Sequence, residues 1–382
     1  MEGRDTSPTS TPSLLEQEIP LQPAVLAGAQ AAFAGPVADL LRRVAGRSVD
    51  DWVVTGCGDS FFAGVCAEVW FARRARRRLR AVHAMQLARE TYSALTPRSV
   101  VLAVSHSGTT ARVLEAARTA RAQGAFVVAV TSDGDSLLAH SADLWIDNRV
   151  REERSNCRTA SFQAVSLLMR MIADALGAGE DRVLQPPRLS LVEPHVEVAR
   201  RQVAALPDEV LAGDHWIFTG SGLGLAAAEY GMAKAYEAAT LPAHCVELEQ
   251  FIHCEIFTVR PGTRVVLVGS AGRAASRAVE LARGLEELGA VTFAVTDDEA
   301  LAASVSHPLA LPAGLPEDDL PFLAALPLQW LALRLALLRG ENPDLVANKS
   351  VNRPLIDHSE LWDPPSDERA GAGLEATRIG QA

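Results

Sequence analysis

The stretch Val100–Ala116 reads VVLAVSHSGTTARVLEA. Apolar β-formers lead into Ser105, His106, Ser107, Gly108, Thr109 and Thr110, and an amphipathic segment follows. Four hydroxyls and a glycine, with no carboxylate, stand where a strand gives way to a helix. A helix start exposes unpaired backbone N–H groups at the positive end of its dipole. Hydroxyl donors beside it, and a glycine that lets the backbone come close to a ligand, make an anion site, and phosphate fits it best. One threonine alone would read as a helix cap; four hydroxyls and a glycine exceed what capping needs. The loop is not the nucleotide P-loop, because it lacks GxxxxGK[ST].

Two residues stand out by type. Of 36 lysines and arginines, only Lys234 and Lys349 are lysines. A chain this rich in arginine that keeps lysine at a position favours a need for a compact, mobile point charge there. Lys234 lies in EYGMAKAYEAA (Glu229–Ala239), a helical pattern that puts Glu237 on the same face. By itself the pair reads as a surface ion pair worth about 0.2–0.5 kcal/mol. His253, in EQFIHCE, follows Glu237 by sixteen residues and alone reads as a core or interface histidine.

These residues need elements to hold them, and the chain supplies the elements twice. DWVVTGCG (Asp51–Gly58) resembles HWIFTGSG (His215–Gly222), with Trp52 and Trp216 offset by 164. VVLAVSHSG (Val100–Gly108) lines up with VVLVGSAGR (Val265–Arg273), and GAFVVAVT (Gly124–Thr131) with GAVTFAVT (Gly289–Thr296). Three blocks in order at nearly constant offset indicate a duplication. Each half alternates short buried strands with helical stretches, the pattern of an α/β fold: a parallel sheet flanked by helices in three αβα layers. Ligands in such sheets bind at the loops that follow the strand C-termini, where every Gly/Ser loop here falls. The expected organisation is a disordered leader over 1–22, a first domain with the phosphate site over 23–185, and a helical linker over 186–213. A second domain over 214–340 and a C-terminal site loop with a disordered tail over 341–382 complete it.

The ordered motifs resemble the sugar isomerase (SIS) domain family. SHSGTT is similar to its Ser-x-Ser-Gly-x-[Ser/Thr] loop, GCGDS (Gly56–Ser60) to its Cys-Gly-[Thr/Ser]-Ser loop, and SLLAHSAD (Ser136–Asp143) to its Ser-x-Leu-Ala-x-x-[Ala/Ser]-Asp stretch. ERSNCRTASF (Glu153–Phe162) resembles the segment closing the first half of tandem-SIS aminosugar enzymes. The likeness covers roughly residues 30–355 and points toward the isomerase half of glucosamine-6-phosphate synthase, aminosugar-phosphate deaminase/isomerases and fructoselysine-phosphate deglycases. It implies that Ser105, His106, Ser107 and Thr110 hold a sugar phosphate, with Ser60 nearby and Thr159 and Ser350 also binding substrate. The second-half counterpart, Ser270-Ala271-Gly272, has lost hydroxyls, so one phosphate site per chain is expected, in the first half.

The same resemblance implies the catalytic set. Lys234 and Glu237 match a Lys-x-x-Glu helix whose glutamate moves a proton between sugar C1 and C2. His253 matches a ring-opening histidine that crosses from the neighbouring subunit. Lys349, in NPDLVANKSVNRP (Asn342–Pro354), matches a lysine entering the sugar site. The implied function is aldose–ketose isomerisation of a sugar or aminosugar 6-phosphate, coupled to gain or loss of ammonia. A deglycase of a phosphorylated ketose-amine is the alternative, with Glu249 or Glu255 as a holder of its ammonium. A non-catalytic phosphosugar-binding regulator is the other. Thr109, Gln250, Cys254 and Glu255 depart from the synthase pattern around the sugar, so a different sugar is possible within this scheme.

Composition narrows the partners. The 382 residues are 48% hydrophobic and carry a net charge of −11, enough apolar surface for two domains and no basic patch for nucleic acid or an anionic membrane. Cys57, Cys66, Cys157, Cys245 and Cys254 form no CxxC pair and read as reduced thiols in a cytoplasmic protein. No signal peptide and no membrane-spanning apolar run is expected. The residues ahead of the first half are expected to be too few for a glutaminase or a helix-turn-helix, so nitrogen would come or go as ammonia or an amine. Neither a metal nor an organic cofactor is expected, and a homodimer with shared sites is.

Overall fold

The computed structural model describes residues 12–151, 153–178 and 184–344. A short helix at Leu14–Glu18 leads into α1 (Gln22–Val44). The leader expected to be disordered through residue 22 is therefore helical from Leu14. Leu15, Ile19, Leu26, Phe33 and Leu40 bury their side chains in the main core, and this apolar stripe outweighs the Ser/Thr/Pro composition upstream.

The first half then runs β1 (Asp51–Gly56), α2 (Asp59–Trp70), β2 (Leu79–His83), β3 (Ser99–Val104), α3 (Ala111–Ala122), β4 (Phe126–Thr131), β5 (Leu144–Asp147) and α4 (Ala160–Gly177). All strands are parallel, in the order β2-β1-β3-β4-β5. After α5 (Val192–Ala204), the second half repeats the plan. It runs β6 (Trp216–Gly220), α6 (Leu223–Ala239), β7 (Ala243–Glu247), α7 (Leu248–His253), β8 (Arg264–Val268), α8 (Ala275–Glu287), β9 (Val291–Thr296), β10 (His307–Ala310) and α9 (Leu320–Leu338). Its sheet order, β7-β6-β8-β9-β10, is the first sheet's order again. Register repeats at an offset of 164, one residue short of the sequence match of Val100 with Val265: Trp52 pairs with Val100 as Trp216 pairs with Arg264. Gly58 and Gly222 precede α2 and α6 with φ of 54° and 55°, a left-handed turn conformation that the two halves share.

β3 and β4 are buried at every position, as strands covered on both faces must be. The halves pack through α2, α6 and α9. α9 is apolar on all sides and buried along most of its length, which marks a core helix. The stretch Glu317–Leu338 is long and apolar enough to cross a membrane, contrary to the sequence expectation, and 89% of its most apolar window is buried inside the protein. The Leu14–Val44 stretch also passes that length and composition test. Polar ties cross the seam as well. Arg74 donates to Asp318 at 2.8 Å, Arg170 to Asp319 at 3.2 Å, and the Trp70 indole to the Asp318 carbonyl at 3.0 Å.

Candidate active site

In each sheet, consecutive connections leave to opposite sides at the first and third strands, so a crevice opens between the C-terminal ends of β1 and β3. The hydroxyl loop lies on it. Ser105 is buried; its Oγ stands 2.8 Å from Thr110 Oγ1 and accepts the Gly108 N–H at 3.2 Å. Ser107 and Thr109 are exposed, with their hydroxyls 2.9 Å apart. Gly108 has φ of +67°, and a Cβ there would lie 2.2 Å from Ser136 Oγ and 2.8 Å from Thr131 Oγ1. The loop thus needs glycine for both conformation and space. Thr110 occupies the N-cap of α3 but makes no capping bond through its side chain. Its hydroxyl turns to Ser105 instead, leaving the helix start uncapped by protein side chains. Ser60, half-buried in the first turn of α2, sits on the same rim.

His106 is pinned rather than free. Its Nδ1 lies 3.2 Å from both Asn148 Nδ2 and Ser161 Oγ. Burial, then the Arg158 and Arg151 charges, hold its pKa below the usual histidine range against Glu153, so the ring is neutral at pH 7. Glu153 forms a knot at the start of α4. Its carboxylate accepts the N–H of Thr159, Ala160 and Ser161 and the hydroxyls of Thr159 and Ser161. Thr159, expected to bind substrate, lies inside this knot. The residue is fully buried, and its hydroxyl is committed to Glu153 rather than turned to the crevice. Glu153 and Asn148 set this wall, and the Glu153–Phe162 motif marked the place without marking their roles.

Lys234 lies on α6, which packs against the same segment: the Tyr230 hydroxyl donates to the Arg158 carbonyl at 2.9 Å and the Tyr230 ring stacks on Phe162. The Lys234 side chain is wholly buried, and its ammonium donates to Asp59 Oδ2 at 2.7 Å and to Glu237 Oε2. The Tyr230 ring lies 5.0 Å from Nζ. The pair is therefore no surface ion pair: Lys234 bridges α6 of the second half to α2 of the first. Burial opposes its charge, but Asp59 and Glu237 outweigh burial and keep it protonated well above the ordinary lysine range. Burial pushes Asp59 up to about 7; Lys234 opposes this and Glu237 adds to it. Glu237 is about one-third exposed and faces outward from the pair. Asp59 was passed over in the sequence, where it stands at the hydroxyl position of the Cys-Gly-[Thr/Ser]-Ser pattern.

His253 is elsewhere. It ends α7 with 69% of its side chain exposed, and its Nε2 lies 3.3 Å from Glu249. Glu249 is held by Arg277 at 2.8 and 3.0 Å, which takes up the carboxylate expected to hold a substrate ammonium. Among the described residues, no hydrogen bond or ion pair joins His253 to Glu237 or Lys234. Lys349 and Ser350 lie outside the described residues. Asp344, the last described residue, accepts the Leu14 N–H at 2.8 Å through its side chain and the Asn156 amide at 3.2 Å through its carbonyl.

In the equivalent loop of the second half, carboxylates stand where the first half has hydroxyls. Asp297 takes the place that Ser132 has in the first half. Its carboxylate accepts the Ala271 N–H at 3.1 Å and the Leu315 N–H at 3.1 Å. Glu317 stands against Gly272. The space left there is about 20 Å³. A cavity of about 710 Å³ opens at the opposite, N-terminal edge of the first sheet, but its Arg80 and Arg98 are already paired with Asp51 and Asp50. It shares nothing with the crevice. Among the described residues no cluster of His, Cys, Asp and Glu suits a metal ion.

Fold and crevice together define two tandem domains of the SIS type. The SIS domain model matches residues 47–175, so the first half is an SIS domain, and the second repeats its topology. The chain is 26% identical over 330 residues to the isomerizing glutamine–fructose-6-phosphate aminotransferase of Thermococcus kodakarensis, covering 82% of this chain and 54% of that protein. It thus spans about half the length of the curated relatives it matches. The C-terminal domain of glucosamine-fructose-6-phosphate aminotransferase from Francisella tularensis superposes with a TM-score of 0.77 at 18% identity, over 88% of this chain and 99% of that one. Tagatose-6-phosphate ketose/aldose isomerase from Escherichia coli gives 0.74 at 19%, over 88% and 96%. Glucosamine-6-phosphate deaminase from Thermotoga maritima gives 0.69 at 23%, over 87% and 97%. At these identities the solved structures establish the fold.

Proposed function

We propose that the chain is a phosphosugar enzyme that isomerises a sugar or aminosugar 6-phosphate between aldose and ketose, with gain or loss of ammonia. The observation that carries this is Lys234, wholly buried between Asp59 of one half and Glu237 of the other, in a chain whose β3–α3 loop carries four hydroxyls paired only among themselves and with the loop backbone. A binder needs the loop alone; a buried lysine flanked by two carboxylates is acid–base machinery. The names of the relatives, an aminotransferase, a deaminase and a ketose/aldose isomerase, support the same class.

In this reading Ser105, Ser107 and Thr110 and the α3 start hold the phosphate, and that remote binding orients the open-chain sugar. Glu237 takes the proton from C2 and returns it to C1, and the cationic Lys234 steadies the negative charge that develops. The exposed His253, with Phe257 nearby at 77% exposure, fits a homodimer in which His253 of the partner subunit serves the ring oxygen. Lys349 lies five residues beyond Asp344, a reach of up to about 17 Å from the Asn156 wall. The five cysteines are unpaired thiols, in keeping with a cytoplasmic setting.

The test is a panel of 6-phosphosugars, aldoses deuterated at C2 and ketoses at C1, with and without ammonia, and one phosphorylated ketose-amine, read by label exchange and ammonia release. Exchange confined to phosphorylated aldoses or ketoses supports the reading. Binding of a phosphosugar with no exchange from any of them would make the chain a phosphosugar-binding protein.

A further inference from the structure

Asp59 is the member of the buried cluster that the proposed reaction gives no step of its own. It opens α2, its side chain is 13% exposed, and Oδ2 accepts a hydrogen bond from the Lys234 ammonium at 2.7 Å. Oδ1 is buried with no partner among the described residues. Lys234 gives a second bond to Glu237, so two carboxylates from different halves of the chain share one ammonium. Asp59 is the inner one and Glu237 the outer one. A shared cation binds each partner less firmly than a sole one. The charge on Asp59 therefore sets how strongly Lys234 restrains Glu237.

We propose that Asp59 is a positioning residue whose charge governs how far Lys234 immobilises Glu237, and so whether Glu237 is free to act as a base. With Asp59 ionised, the ammonium has an inner counterion and Glu237 can leave it to take a proton. With Asp59 protonated, the ammonium rests on Glu237 alone. The only covalent change is the O–H bond of the Asp59 carboxyl, whose proton passes to or from solvent. The groups that face Asp59 are Lys234, Glu237 and Tyr230 from α6, and Glu153 and Cys157 from the segment before α4. Burial outweighs Lys234 among them and raises Asp59 to about 7, so the proton leaves in the neutral range. The freedom of Glu237 then rises with pH across that range. This role rests on Glu237 being the base, so one readout is chosen that needs no activity.

That readout is the titration of carboxyl signals in full-length chain labelled with 13C at aspartate and glutamate carboxyls. An aspartate signal should titrate near pH 7 and be absent from Asp59→Asn. The signal that Glu237→Gln removes should carry an inflection at the same pH, and lose it in Asp59→Asn. The second readout is label exchange at C2. Asp59→Asn should bind phosphosugar as wild type does, yet exchange about tenfold more slowly and without the rise near pH 7. Asp59→Ser, smaller and still able to accept from Lys234, is the second variant should Asn prevent folding. No aspartate titrating near neutrality, a Glu237 signal indifferent to it, or a variant with wild-type rate and pH profile would overturn the role. If the wild-type chain exchanges no label, the proposed activity falls, and the carboxyl titration still decides Asp59.

Discussion

Glu237 is the residue whose environment changed most between sequence and structure. Three-residue spacing from a lysine reads as a solvated ion pair, yet its partner is wholly buried and shared with Asp59. Glu237→Gln keeps the shape and cannot accept a proton. Exchange at C2 should fall by about 10²–10⁴-fold while phosphosugar affinity stays within about twofold. A surface pair would tolerate the change, so full exchange in the variant would remove Glu237 from the mechanism. The hydroxyl loop makes a separate claim. Ser107→Ala and Thr110→Ala each delete a donor worth roughly 1–3 kcal/mol to a charged phosphate. Calorimetry with a phosphosugar and its unphosphorylated twin should show the loss for the first ligand only; equal losses for both would count against a phosphate there.

At the scale of elements, the β3–α3 turn is the part with least freedom. Gly108 combines a φ of +67° with backbone packed against Ser136 and Thr131. In Gly108→Ala the new methyl must displace Ser136, whose Oγ also caps the helix at Leu137–His140. The variant should lose phosphosugar affinity by at least tenfold and melt several degrees lower, whereas unchanged affinity with a lower Tm would separate the turn from binding. The matching turn of the second half shows how such a site is lost. One carboxylate, Asp297, supplies internally the acceptor that a phosphate would bring from solvent. Burial raises its pKa, and its bonds to the Ala271 and Leu315 N–H groups work against that rise.

Two features belong to the whole molecule. If His253 serves the other subunit's site, mixed and exchanged His253→Ala and Glu237→Gln chains form heterodimers with one intact composite site. Up to about a quarter of wild-type turnover should return after exchange, given random mixing of equal parts and one working site in each mixed dimer. No recovery after exchange proven by mass, or an active monomer, would refute sharing. The second feature is His195 in α5, which is buried with Nε2 unpartnered among the described residues. Burial lowers its pKa from 6.5 to about 4. The unfolded chain binds a proton that the folded chain refuses between those values, so this histidine costs stability as pH falls from 6.5 toward 4. Relative to His195→Leu, the wild type should lose about 2 kcal/mol between pH 7 and pH 4.5 in denaturant titrations. A difference constant across that range would place the imidazole in contact with water. Asp59 and Glu229, each raised to about 7 by burial, act oppositely and favour the folded chain below neutrality.

The sequence by itself determined the αβα class, the duplication and the place of the hydroxyl loop. Those follow from short-range patterns: buried strand runs, Gly/Ser turns, and an offset near 164 that the two sheets repeat strand for strand. Periodicity sees neighbours a few residues apart, so the helix carrying Lys234 and Glu237 was legible as well. Only the tertiary structure decided what those neighbours meet. Lys234 and Asp59 are 175 residues apart in the chain and 2.7 Å apart in space. Their meeting depends on how α2 and α6 cross between the halves, which no local pattern encodes. The bond between the Thr159 hydroxyl and Glu153 was not legible either, because the Glu153 knot forms only when the loop folds back on the start of α4. The apolar run of α9 carried an ambiguity of the same kind. Its composition suits a bilayer or a protein core equally, and packing against α6 and α5 supplies the core.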